Sequence, residues 1–332
     1  MTALVEVRAL RKEYDVREGF MQRRVGRVVA VDNVDLDIYP GETLGIVGES
    51  GCGKSTLGRL LLRLIDATSG SVMFAGEDVH TAGRGRMKAL RREMQMVFQD
   101  PAGSLNPRMR IGDIISEGLK VHGVGTREER QTQTAEMLVR VGLDADAARR
   151  FPHEFSGGGM QRIAIARALV LRPRFIVADE PVSALDVSIQ SQVLNLMSEL
   201  KEAFELTLFF VAHDIAVVGY MADRIAVMYL GKVVEIGPAK AIYRRPQHPY
   251  TTALVSAVPA PFPGAKQNRI VLQGDVPSPM NPPSGCRFRT RCPIAQTICA
   301  EVEPPLAPQA PDHAVACHFP GELRAPAVAR PA

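Results

Sequence analysis

Apolar and polar residues alternate with a period of two over residues 28–38 (VVAVDNVDLDI), the pattern of a strand with one buried face. Residues 42–47 form a short apolar strand, followed by a run of glycines and then by the apolar helical stretch LGRLLLRLI at 57–65. The order is strand, glycine loop, helix. Further helices are expected at 126–141 and at 160–171, the second stopping before Pro173. Residues 175–178 and 206–212 are continuously apolar, as expected of strands covered on both faces of a parallel sheet. The pattern therefore predicts an α/β fold.

Composition divides the chain. Seventeen of its 24 prolines and four of its five cysteines fall in residues 246–332. The expected organisation is one α/β domain over 1–240 and a Cys/Pro-rich extension over 241–332, with a frayed Ala/Pro-rich end after Glu322. No internal repeat is visible.

At 332 residues, 46% hydrophobic and 23% charged, the chain has ample material for a core. Its net charge of +4 is too small to indicate nucleic-acid binding. No apolar run approaches the ~18 residues of a membrane span, and the order of basic and apolar residues at the N-terminus is wrong for a signal peptide. The chain is expected to remain in the cytosol, where thiols are reduced and structural disulfides rare.

Gly48-Glu49-Ser50-Gly51-Cys52-Gly53-Lys54-Ser55 fits the phosphate-loop pattern G-x-x-x-x-G-K-[ST] in its required strand-to-helix context. Glycines let the backbone curl so that successive N–H groups face phosphate oxygens, and the helix N-terminus adds its positive end. Lys54 is expected to neutralise the β and γ phosphates, Ser55 to ligate Mg²⁺ and Thr56 to reach the α phosphate. Cys52 reads as a small loop residue. The apolar strand at 175–178 leads into Asp179 and Glu180, at the end where a parallel sheet presents its ligands. Asp179 is the candidate Mg²⁺ residue, and Glu180 the candidate base that orients or deprotonates an attacking water.

Residues 155–162 (FSGGGMQR), 163–169 (IAIARAL), 178–181 (ADEP), 183–186 (SALD) and 211–214 (VAHD) together resemble the ATPase subunit of ABC transporters. The resemblance covers residues 1 to about 240. It implies a P-loop ABC ATPase domain with a mixed-sheet core and a helical subdomain, paired head to tail with a second ATPase subunit. Each ATP would then lie between one phosphate loop and the other subunit's signature, here Ser156, Gly157 and Gly158. The same likeness makes Gln99 the residue that senses Mg²⁺ and water, His213 the switch histidine, and Tyr14 the aromatic stacked on adenine. It places Asp186 beside the nucleotide. One departure is Gly159, where the family usually has Gln.

GESGCGKST, together with 98–108 (FQDPAGSLNPR), 152–156 (PHEFS), 180–190 (EPVSALDVSIQ) and 247–250 (QHPY), is similar to the ATP-binding subunits of dipeptide and oligopeptide importers, most of all the F-type subunit. That similarity implies a D-type partner ATPase, two transmembrane permease subunits, an extracytoplasmic solute-binding protein acting indirectly, and a peripheral position on the cytoplasmic face of the membrane. Nickel and glutathione importers share much of the pattern. A soluble ABC ATPase acting on nucleic acid or ribosomes generally carries two ATPase domains or basic inserts, and neither is visible. A non-catalytic subunit would need Glu180 or His213 replaced, and both are present.

Cys286, Cys292, Cys299 and Cys317 form C-x5-C-x6-C-x17-C. Four thiolates suit a [4Fe–4S] cluster, whose negative charge Arg287, Arg289 and Arg291 would offset, and they also suit Zn²⁺. Unliganded reduced thiols are the third reading. The importer family carries a similar C-terminal cysteine motif, which favours the cluster.

Overall fold

The computed structural model describes residues 2–19, 23–258 and 269–323. The end expected to fray lies, from residue 324 onward, outside the described residues.

The strands are β1 (Val5–Glu18), β2 (Arg23–Ile38), β3 (Thr43–Val47), β4 (Ser69–Phe74), β5 (Glu77–Asp78), β6 (Met94–Val97), β7 (Phe175–Asp179), β8 (Thr207–Val211), β9 (Arg224–Tyr229), β10 (Lys232–Pro238), β11 (Ala307–Ala310) and β12 (His313–Val315). A four-stranded antiparallel sheet runs β2-β1-β4-β5, and an eight-stranded mixed sheet runs β11-β12-β10-β9-β3-β8-β7-β6. Its parallel part is β6-β7-β8-β3-β9. As the continuous apolar runs at 175–178 and 206–212 predict, every residue of β7 and β8 is buried, and so is every residue of β3.

Period-two geometry divides those runs between two cores. Ile176, Ala178, Leu208 and Phe210 pack with the helices Ile111–Val121, Gly157–Leu169 and Val187–Phe204. Phe175, Val177, Phe209 and Val211 pack on the other face with the helix Lys54–Leu61 and the antiparallel sheet. Each fully buried large side chain contributes about 1.5–3 kcal/mol, so the sheet is clamped from both sides. The alternation predicted for 28–38 appears in β2 only over its second half, where Val34, Leu36 and Ile38 are buried while Asn33 and Asp35 are exposed; before it, residues 28–30 are half-buried and Val31 and Asp32 are both buried.

Local signals set the helix ends. The helix Arg127–Arg140 starts at a capping box in which Thr126 and Glu129 satisfy each other's backbone N–H groups. The helix expected at 160–171 occupies Gly157–Leu169, because the Ser156 side chain caps it and so starts it three residues early. Arg63, at φ 48°, ends the helix after the phosphate loop before the apolar run is exhausted.

The extension contributes to the large sheet. β12 pairs with β10 through Glu235↔Val315 and Ile236↔Ala314. Glu235 is fully buried, and its carboxylate accepts hydrogen bonds from the backbone N–H of Gln247 and of His248 and contacts His313 Nε2 at 2.8 Å. His248 caps the helix Pro249–Ser256 through Nδ1, which accepts the Tyr250 N–H at 3.1 Å. That bond needs the neutral ring, and burial pushes the His248 pKa down to about 4, against the opposing pull of Glu235. In the unfolded chain the ring takes up its proton near pH ~6.5. Below that pH the unfolded state holds more protons, so stability falls between about pH 6.5 and 4 and levels off below the folded value. His248→Asn keeps an N-cap acceptor but no titrating ring. Its urea midpoint is expected to fall less than wild type's across this window, with the difference worth about 2–4 kcal/mol; parallel curves would exclude the ring as the source.

Candidate active site

The glycine loop joins β3 to the helix Lys54–Leu61 as the sequence predicts. Two of its glycines are required by space. A Cβ at Gly48 would lie 2.1 Å from the Met228 carbonyl oxygen, and one at Gly53, where φ is +107°, would lie 2.0 Å from that of Ala30. Lys54 is only 4% exposed, and its ammonium donates to the carbonyls of Gly48 at 2.7 Å and Glu49 at 3.1 Å. The lysine thus ties the loop's first residues back to its end.

Ser55 Oγ hydrogen-bonds Asp179 Oδ1 at 2.7 Å, joining the loop to the end of β7. Burial lifts the Asp179 carboxyl above its ordinary range, opposed by the Ser55 hydrogen bond. Glu180 follows at φ 45°, a left-handed conformation uncommon for a residue with a side chain. Its N–H donates to Val211 O at 3.0 Å, which holds the turn against β8. The Glu180 carboxylate accepts from Gln99 Nε2 at 3.0 Å and lies 3.7 Å from His213 Nδ1. Its side chain is 15% exposed, while that of His213 is 58% exposed.

Ser50, Gly51, Gly53, Lys54, Ser55, Thr56, Gln99, Glu180 and His213 line one cleft of about 330 Å³, together with Val28 and Ala30 of β2. Tyr14 sits opposite Val28 in the β1–β2 register and is half exposed, with the Lys12 ammonium 5.0 Å from its ring. Cys52 is buried, and burial pushes its thiol pKa up, in keeping with a small loop residue rather than a reactive one. The residues fit Mg²⁺ with a triphosphate: a hydroxyl, a carboxylate and an amide around a backbone cradle form a hard-oxygen donor set.

Ser156, Gly157, Gly158 and Asp186 do not line this cleft. Ser156 Oγ accepts the Gly159 N–H at 3.3 Å, and Asp186 caps the helix Val187–Phe204 by accepting the Ile189 N–H at 3.0 Å. A Cβ at Gly158 would come 2.6 Å from Ile189 Cγ2, so the signature is packed against the segment that follows Asp186.

The cysteine-rich segment departs from expectation. Burial raises the thiol pKa of Cys286, and lifts that of Cys292 to about 11 and that of Cys317 to about 12, with neighbouring cysteines adding to each rise. Cys286 N–H donates to Cys299 O at 2.8 Å. Among the described residues no group of three or more His, Cys, Asp or Glu side chains is arranged to hold a metal ion. As placed, the four cysteines do not form a ligand set for a [4Fe–4S] cluster or for zinc. The arginines also serve elsewhere. Arg287 binds Asp32 and the Leu230 carbonyl, Arg289 binds the Ser284 carbonyl, and Arg291 pairs with Glu49.

Sequence reasoning missed two contributors beside the loop. Tyr250 Oη accepts the Glu49 N–H at 2.8 Å, and Arg291 Nη1 meets the Glu49 carboxylate at 2.7 Å. Both lie over 200 residues away in the chain, and the only signals were the QHPY motif and an arginine beside a cysteine.

The family model of the ABC transporter matches residues 31–183, and that of the oligopeptide/dipeptide transporter C-terminal region matches residues 234–299. The oligopeptide transport ATP-binding protein AppF of Bacillus subtilis is 52% identical over 319 residues, covering 95% of this chain and 97% of the relative. Among solved structures, the dimeric ATP-binding cassette MJ0796 in a post-hydrolysis state bound to ADP and Pi is 30% identical with a TM-score of 0.63, covering 71% of this chain and 98% of that one. The cbiO1 structure from Clostridium perfringens, part of the cbiONQ transporter complex, is 26% identical with a TM-score of 0.62, covering 73% and 91%. A phosphate loop facing a strand-end carboxylate pair, followed by the C-terminal region of the peptide transporters, has one reading: the chain belongs to the ATP-hydrolysing subunits of the oligopeptide/dipeptide family of ABC transporters.

Proposed function

We propose that this chain powers the import of dipeptides or oligopeptides through two partner permeases, working from the cytoplasmic face of the membrane in a head-to-tail pair with a D-type ATPase subunit. The observation that carries the chemistry is the Glu180 carboxylate held between Gln99 and His213 at the mouth of the phosphate loop. In this reading the loop N–H groups and Lys54 bind the β and γ phosphates, and Thr56 reaches the α phosphate. Ser55, Gln99 and Asp179 would hold Mg²⁺, which neutralises phosphate charge when bound. Glu180 takes the proton of the attacking water, and His213 orients that water and the γ phosphate. Tyr14 stacks on adenine. Catalysis is then mainly positioning and electrostatics.

Ser156, Gly157, Gly158 and Asp186 serve the ATP of the partner subunit, a role supported by their position outside this chain's own cleft. Gly159→Gln is expected to strengthen nucleotide-dependent pairing by about 0.5–1.5 kcal/mol, one added hydrogen bond. The new Cβ would lie 3.2 Å from Phe155 Cβ, which must yield slightly. Unchanged or weaker pairing in sedimentation with ATP would mean the loop is adapted to glycine.

Among the described residues no helix is long and apolar enough to cross a membrane, which accords with a peripheral subunit docked on separate permeases. Mass spectrometry of what copurifies with the tagged chain from its own membranes tests the assembly. Two permeases and a second ATPase support it, and a ligand assay on the associated solute-binding protein separates peptides from nickel or glutathione.

For the tail, the finer reading is a [4Fe–4S] cluster, supported by the C-x5-C-x6-C-x17-C pattern alone; to hold it the four side chains would have to draw together from the positions they occupy here. Metal analysis of anaerobically purified protein tests it. About four irons per chain support the cluster, one zinc replaces it with a zinc site, and neither metal leaves reduced thiols.

A further inference from the structure

Glu49 is an awkward residue at this position. It is the second residue of the phosphate loop and, though it does not line the cleft itself, its carbonyl accepts from the Lys54 ammonium, so its carboxylate adds negative charge close to a site built for a polyanion. The structure handles it with two groups from beyond residue 240. Tyr250 Oη takes its backbone N–H, and the Arg291 guanidinium, only 9% exposed, pairs with its carboxylate.

Those two groups are fixed by one aromatic cluster. The Tyr250 ring lies 4.9 Å from Tyr229 and 5.4 Å from Phe288, and Phe288 is buried three residues before Arg291. A second anchor reaches the far side of the loop. Arg287 binds the Leu230 carbonyl and Asp32, and the next residue, Gly231, donates its N–H to the Cys52 carbonyl at 2.9 Å. The extension therefore grips the phosphate loop at Glu49 directly and at Cys52 through the β9–β10 turn.

We propose that Arg291 and Tyr250 are positioning residues for nucleotide binding: Arg291 neutralises Glu49 at the rim of the phosphate loop, Tyr250 fixes the Glu49 backbone, and through them the C-terminal extension sets the affinity for ATP. The proposal rests on ATP binding at this loop. Failure of the wild-type chain to bind ATP would strike that reading and not the role of the extension.

The test is equilibrium titration of the full chain with a fluorescent ATP analogue and Mg²⁺, with thermal melts to confirm folding. Arg291→Gln leaves Glu49 unpaired and is expected to weaken binding about tenfold, the scale of one uncompensated like charge in a partly buried site. In the Glu49→Gln background the same change is expected to cost less than about twofold, because no carboxylate remains to be neutralised. The rate at saturating ATP in the assembled complex is expected to hold within about twofold, so the effect falls on KM. A merely structural arginine would not be rescued by its partner's neutralisation. Wild-type affinity in Arg291→Gln, or an equal loss in both backgrounds, would overturn the proposal. If Arg291→Gln does not fold, Arg291→Lys carries the test: it retains the charge and is expected to bind within about threefold of wild type, whereas a tenfold loss contradicts the charge argument. Tyr250→Phe keeps the ring and removes the acceptor. About threefold weaker binding is expected, and unchanged binding removes tyrosine from the assignment.

Discussion

Glu180→Gln is expected to stop ATP turnover while ATP remains bound. The amide has the carboxylate's shape and still offers an oxygen to Gln99 Nε2, now 3.0 Å from the acid, so the cleft keeps its form. What it loses is the capacity to take a proton from water. General-base assistance is worth about 10²–10⁴-fold in rate, and that is the loss expected in kcat of the assembled complex. Affinity for Mg²⁺-ATP is expected to stay within about twofold of wild type, because the phosphate contacts are proposed to come from Lys54 and the loop backbone and not from Glu180. The left-handed backbone at Glu180 is unchanged by the substitution, so the variant is expected to melt with the wild type. Steady-state hydrolysis and equilibrium nucleotide binding on one preparation check both halves. Near-normal turnover would remove Glu180 from the role of base.

The second large effect concerns assembly. Alone, the chain is expected to hydrolyse ATP slowly, with the rate rising at least about tenfold when a D-type subunit and the permeases are supplied. Ser156, Gly157 and Gly158 begin a helix whose N-terminal N–H groups suit a γ phosphate, yet they do not line the cleft of their own phosphate loop. In the proposed head-to-tail pair a second subunit brings such a helix end to this cleft, and preorganised donors of that kind are worth about 10²–10³-fold each in rate. Activity per chain measured across a dilution series, with oligomeric state monitored, checks this. A demonstrably monomeric preparation with full activity would refute it.

Much of the site was legible because its chemistry is local in sequence. The loop 48–55 lies between a strand and a helix that their own patterns announce, and the carboxylates follow directly on the apolar run of β7. The two-sided burial of β7 and β8 was legible for the same reason. What escaped was long-range. β1 pairs with β2 through four register shifts, which blur any period-two signal. Strands β9 and β10 turn at Leu230 and Gly231, both at positive φ, and the partner of the Leu230 carbonyl is Arg287, 57 residues further along the chain. Arg287 and Arg291 stand beside cysteines in the chain, which suggested charge compensation for a cluster. In space they reach Asp32 and Glu49. Proximity in sequence is a poor guide to the partner of a long, flexible cation.

The central claim is that ATP hydrolysis at this cleft drives solute inward, and uptake measures it most directly. The complete complex in proteoliposomes, with its solute-binding protein and labelled peptide in the lumen, presents this chain on the outside, where ATP is added. Transport of peptide out of the lumen is expected with wild-type protein and Mg²⁺-ATP, and loss of about 10²-fold or more of that flux is expected with Glu180→Gln. Equal flux with the two proteins, or flux that does not require ATP, would contradict the account.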